Sequence, residues 1–247
     1  MTIKNTFAIL SIALTTLTVS CKKSNHTASG SPAANIPLQT TVQPTINLAG
    51  ASSIAILAGS SISNTGATNV TGDLGLSPGS SVGGFPPGIL IGTLHINDAI
   101  ATQAKLDLTA AYNDAAGRTA TDIVSLSGNI GGLTLTPGLY KSTSSLAISS
   151  GDLTFDAKGN PNAVFIIQIA SAFTTTSGRK VFLAGGAQAS NIFWQIGSSA
   201  TFGTTSDLKG TFLVMQSISF NTGATLNGRA LARTGAVTMS GNTIVKY

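Results

Sequence analysis

The last third of the chain, residues 163–245, repeats one order of segments four times. Each repeat has an apolar run, then an alternating run rich in Ser and Thr, then a short run that usually ends in Gly or Asn. The four passes are AVFIIQIAS–AFTTTSG–RKVFLAGG, NIFWQIGSS–ATFGTTS–DLKG, TFLVMQ–SISFNTG–ATLNG and RALARTG–AVTMSG–NTIVKY. Short segments that recur in a set order are typical of β-solenoids, in which each repeat forms one turn of a coil. The pattern predicts three short strands per turn, with loops of varying length between turns.

The middle run of each repeat alternates between large apolar and small residues. Successive side chains of a strand point to opposite faces. We expect the apolar set to point into the coil, namely Phe173, Phe202, Ile218, Phe220, Val237 and Met239. The opposite set is small, mostly hydroxylated and uncharged, whereas a solvent-facing sheet usually includes Lys and Glu, which oppose aggregation. An outward face without charges is therefore a candidate functional surface.

Earlier runs of the chain add to the same surface. Residues 61–66 (SISNTG) match the later SISFNTG run closely, and residues 146–149 alternate in the same way. We therefore predict one continuous functional face. Its predicted residues are Ser61, Ser63, Thr65, Ala147, Ser149, Ala172, Thr174, Thr176, Thr201, Gly203, Thr205, Ser219, Asn221, Thr238 and Ser240.

Composition narrows the possible functions of the 247 residues. Charged residues make up only 9% and hydrophobic residues 42%, and all eight acidic residues are Asp. The regular apolar alternation distinguishes the chain from disordered sequences. The net charge of +5 is scattered, without a strip of basic and aromatic residues. We therefore expect no binding to nucleic acid.

Two other functions are known for repetitive β folds of this kind, an enzyme and a surface-binding module. Polysaccharide-cleaving β-helix enzymes need paired carboxylates, Ca²⁺-binding Asp clusters or basic residues at the site. Here most Asp residues fall in predicted turns or on a predicted helix, and His95, which precedes that helix, belongs to no Ser/His/Asp or metal-binding constellation. We expect neither enzymatic activity nor a cofactor. A surface adhesin or glycan-binding module stays an alternative, although Trp194 and most Phe residues fall at apolar or inward positions rather than at an exposed sugar site.

Residues 1–21 are predicted to be a lipoprotein-type signal peptide ending at lipidated Cys21. Lys4 supplies the positive start, residues 7–17 the apolar region, and residues 18–20 precede the only cysteine. Residues 17–21 resemble a loose bacterial lipobox, in which Leu17 stands one position earlier than usual. We expect an exported lipoprotein at the outer membrane or cell surface, attached to the membrane only through this anchor. The alternative is an ordinary secretory signal, and a secreted protein.

The remaining chain divides into a tether and a folded domain. Residues 22–46 are polar, Pro-bearing and aperiodic, which predicts a flexible tether. The folded domain is predicted over residues 47–247. Residues 97–116 carry the one helical pattern, with Asn97 or Asp98 as N-cap. Its apolar stripe is predicted to be Ile100, Ala104, Leu108, Ala111, Tyr112 and Ala115, with Lys105 outside the stripe.

The order of these segments predicts an unusual stacking. A coil-like segment at residues 53–66 precedes the helix, whereas the long repeat follows it. If the early strands pair with the late ones, the solenoid is discontinuous in sequence, and the helix covers one of its faces.

A set of motifs in order along residues 48–245 resembles the ice-binding proteins once catalogued as domain of unknown function 3494. The motifs are NTGAT (64–68), TGDLG (71–75), SPG (77–79), GFPPG (84–88), AYNDAAGR (111–118), LTPGLY (135–140), NPNAVF (160–165) and NGRALARTGAV (227–237). The resemblance implies a mainly β protein, a right-handed, discontinuous, three-faced β-solenoid with one long α-helix packed alongside. It also implies adsorption to ice by one flat face, which inhibits ice growth and recrystallisation. We expect the protein to be a monomer.

The resemblance further implies a short motif on the ice-binding face of some members, Thr-Ala/Gly-X-Thr/Asn. Residues 65–68 and 222–225 fit this motif, and residues 234–237 do not. The alternative interpretation is that these Thr-Gly pairs form turns, where Gly tolerates positive φ.

Overall fold

The structure is a computed structural model that describes residues 1–2 and 36–247. The predicted signal region from residue 3, Cys21 and the first part of the predicted tether lie outside the described residues. The described part contains 23 strands, one α-helix, α1 (Ala99–Gly117), and two 3-10 helices, Ala49–Ser53 and Ala189–Asn191. Among these elements, no helix is both long and apolar enough to cross a membrane.

The strands, numbered along the chain, stack in parallel into a coil with three faces. Face A is the face that α1 covers. Its strands, in stacking order, are β8 (Val124–Ser125), β11 (Gly138–Ser142), β14 (Phe165–Ile169), β17 (Ile192–Ile196), the second halves of β19 (Asp207–Val214) and β21 (Thr225–Ala232), β1 (Ile54–Ala58), β4 (Asp73–Leu76) and β7 (Leu94–Ile96).

Face B is formed by the alternating Ser/Thr runs. Its strands, in the same stacking order, are β9 (Gly128–Asn129), β12 (Leu146–Ile148), β15 (Phe173–Thr175), β18 (Ala200–Phe202), β20 (Ile218–Phe220), β22 (Val237–Ser240), β2 (Ser61–Thr65) and β5 (Ser81–Gly83).

Face C closes the coil. Its strands are β10 (Thr134–Leu135), β13 (Leu153–Asp156), β16 (Val181–Ala184), the first halves of β19 and β21, β23 (Thr243–Val245), β3 (Asn69–Thr71) and β6 (Ile89–Ile91).

The early strands continue the stack where the chain's last strands end. On Face A, β1 pairs with β21, and on Face B, β2 pairs with β22 with Ser63 opposite Thr238. On Face C, β3 pairs with β23. The prediction of a solenoid that is discontinuous in sequence is therefore confirmed, as is the mainly β, three-faced architecture with one long helix.

The core of the coil is built from the predicted inward residues. Phe173, Phe202, Ile218, Phe220, Val237 and Met239 are each at most 3% exposed. Trp194 of β17 lies at the centre of an aromatic stack, 5.4 Å from the parallel ring of Phe212. Its indole Nε1 donates to the carbonyl of Lys209 at 3.0 Å, so the one polar atom of the ring is satisfied.

Helix α1 begins where the cap was expected. Asp98 is the N-cap, and its carboxylate accepts a hydrogen bond from the backbone N–H of Ala101 at 2.8 Å. The buried stripe differs from the predicted one at its first member, because Ala101 is buried and Ile100 is 49% exposed. Ala101 continues the three- and four-residue spacing of the buried positions, whereas Ile100 lies at the margin of that stripe.

Lys105 lies outside the apolar stripe, as predicted, but its side chain still contacts the coil. Its Nζ donates to the backbone carbonyls of Ala232, at 2.7 Å, and Arg233. The long aliphatic stem allows the amine to reach past the apolar stripe to the end of β21. Burial, and secondarily the charge of Arg233, lower the pKa of Lys105 to about 8.

The predicted tether is shorter than residues 22–46, because its last part packs on the coil. The Gln39 side chain is 9% exposed, and its Oε1 accepts from the backbone N–H of Leu139 at 2.8 Å. The Gln39 amide occupies the space that a side chain at Gly138 would need, and Ile46 is 3% exposed. The ordered domain therefore includes residues 39–46, which polar composition alone had assigned to the tether.

Asp122 fastens this segment, which leads to a testable prediction. Its Oδ2 accepts from the backbone N–H groups of Thr40 and Thr41 at 2.5 and 2.9 Å. Hydrogen bonds from Thr41 and Thr40 hold the pKa of Asp122 far below its usual range. We expect Asp122→Asn to make residues 36–46 markedly more susceptible to limited proteolysis at neutral pH, because the charged acceptor is lost.

The pH dependence of this contact has a definite sign. The folded-state pKa of Asp122 is depressed, so its contribution is present above the usual carboxyl pKa and is lost as the pH falls below it. Cleavage of wild-type residues 36–46, measured with an acid-active protease, should therefore rise as the pH falls below about 4. Equal cleavage of wild type and Asp122→Asn at neutral pH would contradict this role.

Candidate functional site

Face B is the candidate site, because it is uncharged and open along its length. Its eight strands contain no Asp, Glu, Lys or Arg. Face A is covered by α1, which packs against outward residues such as Leu57, Ile166 and Leu213. Face C carries the ion pair between Lys209 and Asp207, at 2.6 Å. Among the faces of the described coil, B therefore combines exposure with an absence of charge.

The strand register aligns the outward residues of Face B into rows that run along the coil. The central row follows directly from the paired residues on six adjacent strands. Its members, in stacking order, are Ala147, Thr174, Thr201, Ser219, Thr238 and Ser63. Neighbouring strands of a sheet lie about 4.7–4.9 Å apart, so each row repeats at that interval.

Two further rows flank the central row, each displaced from it by two residues along every strand. The row nearer Face C comprises Ser149, Thr176, Gly203, Asn221, Ser240 and Thr65. The row nearer Face A contains Ala172, Ser199, Ser217, Ala236 and Ser61. The predicted set therefore falls into three adjacent rows of one face, with Thr205 as the exception. Ser199, Ser217 and Ala236 belong to the same face and were missed. Ser199 precedes its alternating run, whereas Ser217 and Ala236 are the first residues of theirs and were not included in the predicted set.

The central row differs from its neighbour in how its hydroxyl groups are used. Within the part of the chain that the structure describes, the hydroxyls of Thr174, Thr201, Ser219, Thr238 and Ser63 make no hydrogen bond to protein. These groups are therefore free to bind water.

The row nearer Face C is instead tied to the backbone of the corner. Thr176 Oγ1 donates to the carbonyl of Ser149 at 3.1 Å, and Thr65 Oγ1 to that of Met239 at 3.3 Å. The hydroxyls of Ser240 and Thr222 lie 3.2 Å apart. This row is consequently more rigid and offers fewer free donors than the central row.

A stack of aromatic rings supports Face B from inside. The rings of Phe173 and Phe202 lie 6.5 Å apart, and those of Phe202 and Phe220 lie 4.8 Å apart, both edge to face. Thr175 also points inward, and its Oγ1 accepts from the backbone N–H of Gly203 at 2.8 Å. Interiors packed in this way resist deformation, so the outward rows are held in place.

Two predicted residues are placed differently from the rest. Thr205 has φ 55° and lies in the turn after β18, where the two-residue alternation has ended. It therefore stands at the corner between Faces B and C and outside the rows. Gly203 is in its row but buried, because a side chain there would collide with the backbone of Thr175 and Thr176.

Face B also has a shallow depression across β20, β22 and β2, toward its edge with Face C, with a volume of about 410 Å³. The ladder between β20 and β22 stops after Ser219 opposite Thr238. Beyond that point the side chain of Asn242 takes the place of the backbone hydrogen bonds of the ladder. Its Nδ2 donates to the carbonyls of Asn221 and Ala224 at 2.9 and 3.0 Å. The ladder between β20 and β22 is therefore interrupted on the Face C side of the central row, which the sequence repeat did not indicate.

The Thr-Gly motifs lie at corners of the coil. Gly66 and Gly223 have φ values of 79° and 70°, which favour glycine. Thr68 is fully buried, and Thr225 lies on Face C with its hydroxyl donating to Asp207 at 2.9 Å. The motifs are thus turns between Faces B and C, in agreement with the alternative interpretation.

Among the described residues, the titratable groups form no catalytic arrangement near Face B. Across residues 1–2 and 36–247, no group of three or more His, Cys, Asp or Glu residues is placed to hold a metal ion. His95 is buried beside the helix cap, with Nδ1 2.6 Å from Asp98 Oδ2. The hydrogen bond from Ala101, and then the contact with His95, lower the pKa of Asp98. These groups cap a helix.

Comparison with known sequences gives relatives over most of the chain. A family model described as ice-binding-like matches residues 56–245. An ice-binding protein of Nostoc sp. (strain HG1) is 45% identical over 196 residues, which are 78% of this chain and 71% of the relative. An ice-binding protein of Flavobacterium frigoris (strain PS1) is 39% identical over 217 residues, 81% of this chain and 75% of the relative.

Solved structures agree with these relatives. The crystal structure of an ice-binding protein from an Antarctic biological consortium matches with a TM-score of 0.85 and 73% identity, covering 85% of this chain and 95% of that one. The structure of an ice-binding protein from Antarctomyces psychrotrophicus matches with a TM-score of 0.77 and 39% identity, covering 82% and 98%.

Proposed function

This chain belongs to the ice-binding-like family, and from that premise we propose that it binds ice through Face B and so inhibits ice growth and recrystallisation. The observation that carries the assignment to Face B is the central row. It sets hydroxyl and methyl groups at a regular interval on six adjacent strands and has no charged member.

The chemistry of the row suits adsorption to an ordered water surface. Free hydroxyls can hold a layer of bridging waters, each bonded to more than one polar group. Thr is stiff at χ1, so Thr174, Thr201 and Thr238 lose little side-chain entropy on docking. Charged side chains would hold hydration shells of their own. Weak contacts then add up over a rigid array, as in multivalent binding.

Face B carries no catalytic residues and no charged side chains on its strands. The relatives are ice-binding proteins, and we propose that this chain likewise acts without catalysis and without a cofactor, as a monomer. A glycan-binding role stays the competing function, because Phe182 on Face C is 49% exposed and sugar sites often use exposed aromatic rings.

Ice activity is tested directly on purified residues 22–247. We expect faceted ice crystals and a measurable gap between melting and freezing temperatures, because adsorbed protein curves the growing ice front. Round, freely growing crystals at high protein concentration would rule out ice adsorption, and binding to a glycan array would then favour the competing function.

We propose that the mature chain is an exported lipoprotein, located at the outer membrane or cell surface and anchored through Cys21. A support for this proposal is that the chain's only cysteine falls at the expected processing point. We expect wild-type protein in a bacterial host to incorporate an alkyne fatty acid and to sediment with membranes, since acyl chains add about 0.8 kcal/mol of membrane affinity per buried CH₂. Cys21→Ala should lose both properties. Wild-type protein released without the label would instead favour the secreted form.

A further inference from the structure

A second concave surface lies away from Face B, at the corner between Faces A and C. It is a groove of about 520 Å³ between residues 45–52, the 3-10 helix Ala189–Asn191 and the middle of β21. This volume falls within the range of small-molecule sites. The groove shares no residue with the three rows of Face B, so ice binding does not account for it.

Arg229 gives the groove its charge. The residue is only 7% exposed, and its Nε and Nη2 both donate to the carbonyl of Ser52, at 3.0 and 2.9 Å. Its guanidinium lies 4.4 Å from the centre of the Tyr247 ring. No carboxylate of the described residues lies within ion-pair distance of it, and its Nη1 makes no hydrogen bond to them.

A buried cation without an anionic partner is unusual, because removal of a charge from water is costly unless it is paired. The carbonyl of Ser52 and the ring of Tyr247 compensate part of this cost. Because Arg229 lines the groove and its Nη1 makes no hydrogen bond to the described residues, this group is available to a ligand that binds there. Guanidinium groups favour carboxylates, whose two oxygens match their geometry.

The walls of the groove indicate which chemical group should accompany the carboxylate in a ligand that fits. Ile46, Leu48 and Phe193 line it and are each at most 9% exposed. The Tyr247 hydroxyl is engaged with Thr211 Oγ1 at 2.5 Å, so the ring presents mainly apolar surface. A compact apolar body therefore suits the space beside the guanidinium.

We propose that this groove is a binding site for a small organic acid, a carboxylate attached to an aromatic or short aliphatic body. The carboxylate pairs with Arg229, and the apolar body lies against Phe193 and the Tyr247 ring. The site is independent of ice binding, because it uses a different side of the coil.

Benzoate is a suitable probe, and benzyl alcohol is its uncharged counterpart. In calorimetric titrations of the full-length protein we expect saturable binding of one benzoate and binding of benzyl alcohol weaker by at least about tenfold, because the neutral ligand leaves the guanidinium unpaired. Arg229→Gln should weaken benzoate binding to a similar degree.

Because Arg229→Gln can also disturb the contact with Ser52, a second variant leaves that contact intact. Ser190 is exposed at the groove, and Ser190→Trp should block benzoate while the circular dichroism spectrum and melting temperature stay unchanged. Ser125→Trp, at an exposed position of β8, is the matched control and should bind benzoate normally. The site is refuted if benzoate does not bind, if benzyl alcohol binds equally well, or if Ser190→Trp binds benzoate as the wild type does.

Discussion

Thr238→Tyr is expected to abolish ice shaping and to lower thermal hysteresis by about tenfold or more, since one bulky ring lifts the surrounding array from the ice and the contacts of such an array act together. Thr238 is exposed in the central row of Face B, between Ser219 and Ser63 on the neighbouring strands. Its hydroxyl has no partner among the described residues, so the substitution removes no internal hydrogen bond. The fold should therefore be unaffected, and the loss should be specific to adsorption.

The same coil turn supplies a matched control. Thr243 is also exposed and lies on β23 of Face C, only five residues further along the chain. Thr243→Tyr should retain ice shaping and thermal hysteresis, because its ring points away from Face B.

Thr201→Lys offers an independent test in the middle of the central row, where a charge with its own hydration shell should also abolish activity. If Thr238→Tyr and Thr201→Lys both keep full activity, Face B is not the ice-binding face.

Trp194→Ala is expected to lower the free energy of unfolding by about 3–5 kcal/mol, the usual cost of deleting a large buried aromatic side chain. Trp194 is fully buried, and its ring lies 4.9 Å from that of Phe173 and 5.6 Å from that of Phe155. The substitution leaves a cavity among neighbours on several coil turns, and it removes the donor to the carbonyl of Lys209. Urea unfolding of the purified protein measures the change.

An exposed aromatic residue provides the comparison for this loss. Phe182 is 49% exposed on Face C, and Phe182→Ala should change the free energy of unfolding by no more than about 0.5 kcal/mol. Under conditions where the Trp194→Ala protein is still folded, this variant should shape ice, because the substitution changes the core and leaves the outward residues of Face B unchanged. If Trp194→Ala lowers the free energy of unfolding by less than about 1 kcal/mol, the coil closes around the missing ring, which would contradict a rigid core.

Much of this architecture was predicted from local patterns in the chain. The order of apolar, alternating and short runs predicted three strands per turn, and the alternation placed Phe173, Phe202 and Met239 inside, where they are buried. The absence of charge from the alternating runs identified Face B as distinctive. These properties are local, because the direction of a strand side chain depends on its parity alone.

Other features required contacts between residues far apart in the chain. Gln39 packs over Gly138, and Asp122 binds Thr40, although composition had assigned residues 39–46 to the tether. Lys105 reaches the end of β21, although its helical position lies outside the apolar stripe. In each case a distant partner, which no local pattern contains, decided the position of the side chain.

Face B shows the same division between local and long-range information. The sequence by itself determined which of its side chains point outward, because alternation is a property of single strands. Only the tertiary structure decided that Ser63 stands beside Thr238, that Thr205 leaves the rows at a corner, and that Asn242 ends the ladder between β20 and β22. The register between strands is set by pairing across the coil, often between segments more than a hundred residues apart, and a site made of aligned rows exists only once that pairing has formed.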